Sequence, residues 1–353
     1  GGPEMAGQGW RMLVECLSVG RCISLPSNAL GGAKAGAFAT GAYARIRKQF
    51  NMAIGRFEGV QEALARIAGN TYIIDAARSV TIAAVDRGEK PAVPAGILKY
   101  HCTELGRDVA NDAMDIQGGS GICLGPDNWI GRAYQAIPIA ITVEGANILT
   151  RNLMIFGQGA MRCHPHLKEM VDLIYSEEKS ADAQFNKVLR KTVGFSVKNA
   201  FRSLFSSYLP FVRGAQSSLP EVRGYEKRLN ALSAKLAPMA DLLAVLGGDL
   251  KKAELLSARL GDIMSYLYGA MAAIRFYEQR IEDRQQAKPY FDYAMQWSLQ
   301  QAEQALVNFV RNFPNTPTRG LMRLLTATYS GSVSTISDDL IRGNEYAYGD
   351  HYD

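Results

Sequence analysis

Apolar and small residues recur every three to four positions along most of the chain, a period that fits helices with one buried stripe and fits strands badly. From 58 to 87 the stripe runs through Val60, Leu64, Ile67, Thr71, Ile74 and Val85. Pro91 and Pro94 interrupt it, a second helix is expected over 95–117, and Gly118-Gly119-Ser120-Gly121 stops that one. Upstream, 12–29 and 35–50 read as two helices hinged near Gly31-Gly32. Another is expected to open after Gly145 and fade at 157–159. Long helices with short connections predict an antiparallel bundle, so the fold class is all-α.

Cys163-His164-Pro165-His166 reads as a boundary, giving domains 1–163 and 164–353. Beyond it the glycines thin out and helical periods return at 167–208, 220–246, 250–286 and 288–312, a second helical extension. Pro210, Pro220, Pro289 and Gly247-Gly248 supply the punctuation. Pro314 and Pro317 are expected to end the last clear helix, leaving a polar, loose tail.

Composition narrows the function classes. The 353 residues are 47% hydrophobic and 21% charged, the balance of a globular protein with a sizeable core. No apolar run is long enough to span a bilayer. A net charge of +5 without Lys/Arg blocks argues against nucleic acid and leaves room for a phosphorylated ligand. Cys16, Cys22, Cys102, Cys123 and Cys163 are odd in number and scattered, which fits a reducing cytoplasm better than a disulfide framework. His164 and His166 have no Asp, Glu or Cys at helical ligand spacing, so no metal site is expected. Gly1-Gly2-Pro3-Glu4, with no initiator Met or charged leader, reads as the middle of a longer protein.

Three stretches carry chemistry. In 47–61 an Arg at a helix end is followed by a turn and a new helix N-terminus, a sensible cradle for a pyrophosphate. In 115–121 a helix precedes Gly118-Gly119-Ser120-Gly121, and Leu124 stands where a dinucleotide fingerprint needs its third glycine. What remains is a helix end at which a ligand can approach the backbone closely. In 142–151 the carboxylate of Glu144 is followed by Gly145, just before an apolar helix. Singly, each has an ordinary alternative: a solvated helix end, a plain C-cap, a capping acid.

In this order the three resemble the C-terminal domain of the acyl-CoA dehydrogenases: Arg-x-x-Phe, then Gly-Gly-x-Gly, then Glu-Gly-x-Asn leading to Arg151. Leu17-Ser18-Val19-Gly20-Arg21 resembles that family's early helix, whose Arg lies near the thioester. The resemblance covers roughly 5–160, and the long segment after His166 is similar to that of the large bacterial long-chain (FadE-type) enzymes of β-oxidation. It implies FAD as cofactor, fatty acyl-CoA as substrate, electron-transfer flavoprotein as electron acceptor, and a homo-oligomer. Glu144 is implied as the base that removes the α-proton, with Gly145 and Arg21 at the substrate. Arg47 and Phe50 are implied at the FAD of a neighbouring subunit, with Gly118 and Gly119 along the same cofactor. Three positions depart from the pattern: Asn51 for the family's Gly, Asp115 for its Gln, and Ala146 for its Thr. The rival reading is a non-enzymatic helical scaffold or membrane-docking module.

The segment 185–213 has two readings: its aromatic face packs against neighbouring helices of the extension with the basic side solvated, or it docks on an anionic membrane surface. No acidic residue lies between Asp182 and Glu221, while Lys187, Arg190, Lys191, Lys198, Arg202 and Arg213 alternate with aromatic and aliphatic residues. Phe201, Leu204, Phe205, Tyr208 and Leu209 are expected on one side, with Lys198 and Arg202 towards another. Peripheral contact with the inner face of the cell membrane is the corresponding expectation.

Overall fold

The computed structural model describes residues 2–157, 159, 164–174, 181–208, 215–243, 245–246, 252–326, 336 and 338–342. The described residues are almost wholly helical. The helices are α1 (Gly9–Ile46), α2 (Glu58–Asp86), α3 (Ala92–Gln117), α4 (Gly119–Ile122), α5 (Gly131–Thr142) and α6 (Asn147–Leu149), which continues as a π-helical turn over Thr150–Ile155. Then follow α7 (Leu167–Ile174), α8 (Ala181–Tyr208), α9 (Pro220–Leu243), α10 (Glu254–Gln279), α11 (Arg284–Arg311), α12 (Thr316–Leu325) and α13 (Asp338–Arg342). Two compact units result, Gly1–Thr150 with Tyr268–Trp297 and Thr335–Asp353, and Arg151–Leu267 with Ser298–Ser334.

In the first unit, Arg78 donates to Ser27, Lys34 pairs with Asp75, and Ala44 packs with Leu64, so α1 and α2 run antiparallel. Gly106 lies against Ala29 and Gly36 against Val109, so α3 runs alongside α1 in the same direction. Tyr72 meets Phe276 edge-on at 5.5 Å, and Thr81 shares a 2.6 Å hydrogen bond with Tyr268, which seats this unit's part of α10 on α2. In the second unit, Arg228 of α9 pairs with Glu303 of α11 at 2.6 Å, and Ser203 of α8 donates to the Leu325 carbonyl at the end of α12.

Four sequence expectations are corrected. The helices expected over 12–29 and 35–50 are one 38-residue helix, because Gly31 and Gly32 sit in helical backbone and Pro26 is accommodated inside it. The break expected before Pro289 falls instead at 280–283, where Arg280 is paired with Asp283 at 2.5 Å, and Pro289 lies within α11. The helix before Pro314 and Pro317 does end at Arg311, but the tail expected to be loose holds α12, with Pro317 in its first turn, where a missing N–H costs nothing, and Asn315 as its cap, accepting from the Thr318 N–H at 2.9 Å. A two-residue hairpin, β1 (Lys48–Gln49) with β2 (Met52–Ala53), joins α1 to α2.

Candidate active site

Glu144 stands on the four-residue turn between α5 and α6 with φ of +54°, followed by Gly145 at +93°. Left-handed backbone at a non-glycine residue persists only where its surroundings enforce it. Here they do. Arg21, buried on α1, donates to the Glu144 carbonyl through Nε at 2.9 Å and Nη2 at 2.6 Å. A Cβ on Gly145 would stand 3.0 Å from Arg21 Nη2, so that position requires glycine for space as well as for φ.

The stems of the turn are tied to α3. Lys99, fully buried, donates to the Ile141 carbonyl at 3.1 Å and to Asn147 Oδ1 at 2.5 Å. Asn147 then donates through Nδ2 to Thr103 Oγ1 at 3.0 Å and Glu104 Oε1 at 2.7 Å. Burial pushes the Lys99 ammonium down to about 8; Arg21 pushes the same way, while Glu104 and Glu144 oppose them. Burial also lowers Arg21 from its ordinary value, against the pull of Glu144.

The Glu144 carboxylate lies against the one position on that stretch of α1 without a side chain: a Cβ on Gly20 would meet Oε1 at 3.1 Å and Oε2 at 3.3 Å. Oε2 is shielded from solvent and has no hydrogen-bond partner among the described residues. A carboxylate held by its own backbone, with an oxygen left over, is suited to accepting a proton.

The other predicted site residues assemble at the far end of α1. Arg47 caps that helix in extended backbone. Phe50 and Asn51, at φ of +50° and +62°, form the hairpin tip, and Phe50 is 90% exposed. Asn tolerates this backbone nearly as well as the Gly usual in the resembled family, which accounts for that departure. Ala44, Ile54 and Leu64 form a buried cluster with Tyr43, Phe57, Val60 and Ile116, fixing the hairpin against α2 and the end of α3. There Gly118 turns at φ of +56°, and Ser120 Oγ lies 3.5 Å from the Tyr43 hydroxyl. Nothing lies within 4 Å of where a Cβ on Gly118 or Gly119 would stand. Gln117 Nε2, in the last turn of α3, is shielded and without a partner among the described residues. Asp115 is exposed.

Arg47, Phe50, Gly118 and Gly119 are therefore brought together, and so are Arg21, Glu144 and Gly145. The two groups are far apart: Arg21 and Arg47 are separated by the length of α1 between them, roughly 40 Å at 1.5 Å per residue. The side chains of 17–19 lie outside the described residues. Arg151, the last residue of the quoted motif, makes a two-pronged pair with Asp262 at 2.8 and 2.6 Å in the second unit. Asn147 and Gly20 stand within the quoted motifs without a role of their own, and Lys99, Thr103 and Glu104 were not singled out from sequence. The available signal was Lys99 itself, a cation inside the buried stripe of Ile97, Leu98, Cys102 and Thr103.

On α8 the exposed apolar stripe differs from the one expected. Leu189, Val193, Val197, Phe201 and Phe205 are exposed at intervals of four, whereas Leu204 is half-buried. Lys187, Arg190, Lys191, Lys198 and Arg202 are exposed on the same helix, and Val188, Asn199, Ser203 and Ser206 form its buried side. The Tyr208 side chain and residues Leu209, Phe211 and Arg213 lie outside the described ones, as does Cys163. Among the described residues no helix is long and apolar enough to cross a membrane.

Residues 7–156 match the family described as acyl-CoA dehydrogenase, C-terminal domain, and 161–343 match acyl-CoA dehydrogenase, C-terminal, bacterial type. The chain is 31% identical to the mitochondrial very long-chain specific acyl-CoA dehydrogenase of Mus musculus over 156 residues, 44% of this chain and 23% of that protein. A 42-residue stretch is 79% identical to protein HemX of Proteus mirabilis, 12% of this chain and 25% of that protein. The fold is shared with an acyl-CoA dehydrogenase complexed with FAD from Bacillus anthracis, at a TM-score of 0.70 and 18% identity, over 93% of this chain and 54% of that one. The chain thus spans about a quarter of these curated relatives and about half of that solved chain. The second family match alone takes in just over half of the residues, and the chain belongs to the acyl-CoA dehydrogenase family.

Proposed function

We propose that this chain carries the proton-abstracting base of an FAD-dependent enzyme that converts fatty acyl-CoA to trans-2-enoyl-CoA in fatty-acid β-oxidation. The observation that supports it best is Glu144: a carboxylate held on a strained turn, with Oε2 shielded and uncommitted. The α-C–H bond of the thioester breaks and its proton passes to that carboxylate. Arg21 holds the Glu144 carbonyl, which keeps the carboxylate in place while the charge on the acid changes. FAD would supply the acceptor for the β-hydride lost in the same step, with electron-transfer flavoprotein as the onward acceptor of its electrons.

The residues present fit such a cofactor at the other end of α1. Gly118 and Gly119 leave the backbone open, Gln117 has a donor to spare, and Arg47 and Phe50 are exposed for a pyrophosphate or adenine. Groups this far apart on one helix do not share one extended cofactor, which favours a homo-oligomer whose subunits exchange these contacts. Because the chain spans about half of a related dehydrogenase, turnover is assigned to the complete protein and the chain alone is expected to be inactive.

The test is Glu144→Gln in the complete enzyme. Gln keeps the shape and loses the base, so turnover should fall by at least about 10²-fold with flavin retained. Retention of more than about a tenth of the activity on that scale places the base elsewhere.

The α8 stripe supports a second element of this reading, peripheral contact with an anionic membrane. Five exposed apolar residues at intervals of four, beside five exposed cations, match an interfacial helix. Long-chain acyl-CoA partitions into the same interface. Flotation with vesicles decides it.

A further inference from the structure

A buried ammonium spans the turn on which Glu144 stands and is bonded to both of its stems. We propose that Lys99 is a positioning residue for the proton-abstraction step: its side chain clamps the end of α5 to the start of α6 and so sets where the Glu144 carboxylate lies. The inference rests on Glu144 as the base and deepens that reading.

The geometry carries it. Lys99 Nζ reaches the Ile141 carbonyl, in the last turn of α5, and Asn147 Oδ1, the first residue of α6, so one cation bridges the positions on either side of 142–146. A cation at a helix C-terminus neutralises carbonyls left without intrahelical partners and the negative end of the helix dipole. Asn147 relays the contact, because its amide nitrogen is held by Thr103 and Glu104, one turn along α3 from Lys99 itself. The turn is consequently gripped from α3 at both stems and from Arg21 of α1 at its centre.

Removing a buried cation alone leaves its acceptors unpaired and costs stability. What points beyond the fold is the place of Lys99: it bonds both stems of the turn on which the backbone of the base holds a left-handed conformation. Without the clamp, the Ile141 carbonyl and the Asn147 amide lose their shared partner and the turn has less to oppose its relaxation. The carboxylate would then sample positions away from the substrate's α-carbon, and misplacement on the order of 1 Å can cost about 10²-fold in rate.

The experiment uses the complete enzyme and Lys99→Met, which keeps length and apolar bulk and removes the cation. Flavin content, melting temperature, acyl-CoA dissociation constant and the anaerobic rate of flavin bleaching by acyl-CoA are measured, with α-deuterated substrate as a second probe. The expected result, measured well below the melting transition, is a fall in bleaching rate of about 10- to 100-fold, flavin content held, a lowered melting temperature because two buried acceptors lose their donor, dissociation constant within about threefold on the same scale, and a larger α-deuterium isotope effect. Thr103→Val, which removes one of the two acceptors of the Asn147 amide together with a hydroxyl bonded to the Lys99 and Tyr100 carbonyls of its own helix, leaves Glu104 in place and should fold and show the same pattern at several-fold. Bleaching within twofold of the parent in both variants, well below their melting transitions, overturns the proposal, as does a rate loss that merely follows loss of flavin. Glu144→Gln run alongside separates the two readings: if it bleaches normally the base is misassigned, whereas if it is inactive and both positioning variants are normal only the role of Lys99 fails.

Discussion

Placing a methyl group on Gly20 should make the protein more stable and the enzyme slower. The position is helical, well inside α1, where Ala is favoured over Gly by about 0.8–1 kcal/mol. By propensity alone Gly20→Ala should raise the melting temperature by a degree or two, on the order expected for a chain of this size. The new Cβ, however, would lie 3.1 Å from Glu144 Oε1 and 3.3 Å from Oε2, where ordinary contact begins at 3.4 Å. Oε1 must therefore retreat by about 0.3 Å, because the helix backbone cannot. If 1 Å of misplacement costs about 10²-fold, this shift corresponds to roughly fourfold, and three- to tenfold is expected in the anaerobic rate of flavin bleaching. Flavin content should not change. A bleaching rate within about 1.5-fold of the parent on that scale would show that the carboxylate does not work from this position. A slow variant with a lowered melting temperature would show that the packing around Gly20 has been misread.

Arg47→Ala should lose flavin during gel filtration, whereas Arg21→Ala should keep it and lose kcat; equal flavin loss in the two would undo the division between the ends of α1. With the complete protein and anionic vesicles, flotation at low salt should fall as salt rises, because each exposed cation near the lipid contributes about 1 kcal/mol and is screened within about 10 Å at 0.1 M. Lys198→Glu with Arg202→Glu should abolish flotation. If the parent fails to float at low salt, the α8 stripe serves another purpose.

Much of the fold was legible because helix periodicity is a local property. The stripe over 58–87 and the stop at Gly118 fall where expected, since the spacing of apolar residues and the absence of a Cβ act within one or two turns. Punctuation was less reliable. Gly31-Gly32 looked like a hinge, but a helix packed on two neighbours outweighs the cost of about 1 kcal/mol per glycine. Pro289 and Pro317 looked like stops, yet proline is tolerated near a helix start, and which side of it the helix lies on depends on tertiary contacts. At the site, Glu144 and Arg21 could be named because they belong to a recognisable order of residues. Lys99 could not, because its role exists only once α3 brings it to residues more than forty positions away.

That difference bears on how the two ends of α1 work together. Among the described residues the contacts that orient Glu144 come from within the first unit: Arg21 from α1, Lys99 and Glu104 from α3, and Asn147 from the start of α6. In the proposed mechanism the carboxylate is thus held in place by its own unit, the arrangement expected where catalysis depends on positioning. Arg47, at the end of α1, and Phe50, at the hairpin tip, are by contrast exposed, Phe50 at 90%, with the Phe57 ring roughly perpendicular to it at 6.3 Å. A large aromatic group left this open at a strained turn gains most from being covered by something outside its own unit. In the proposed oligomer that division lets one subunit hold the chemistry of its own site while lending a cofactor contact to the next.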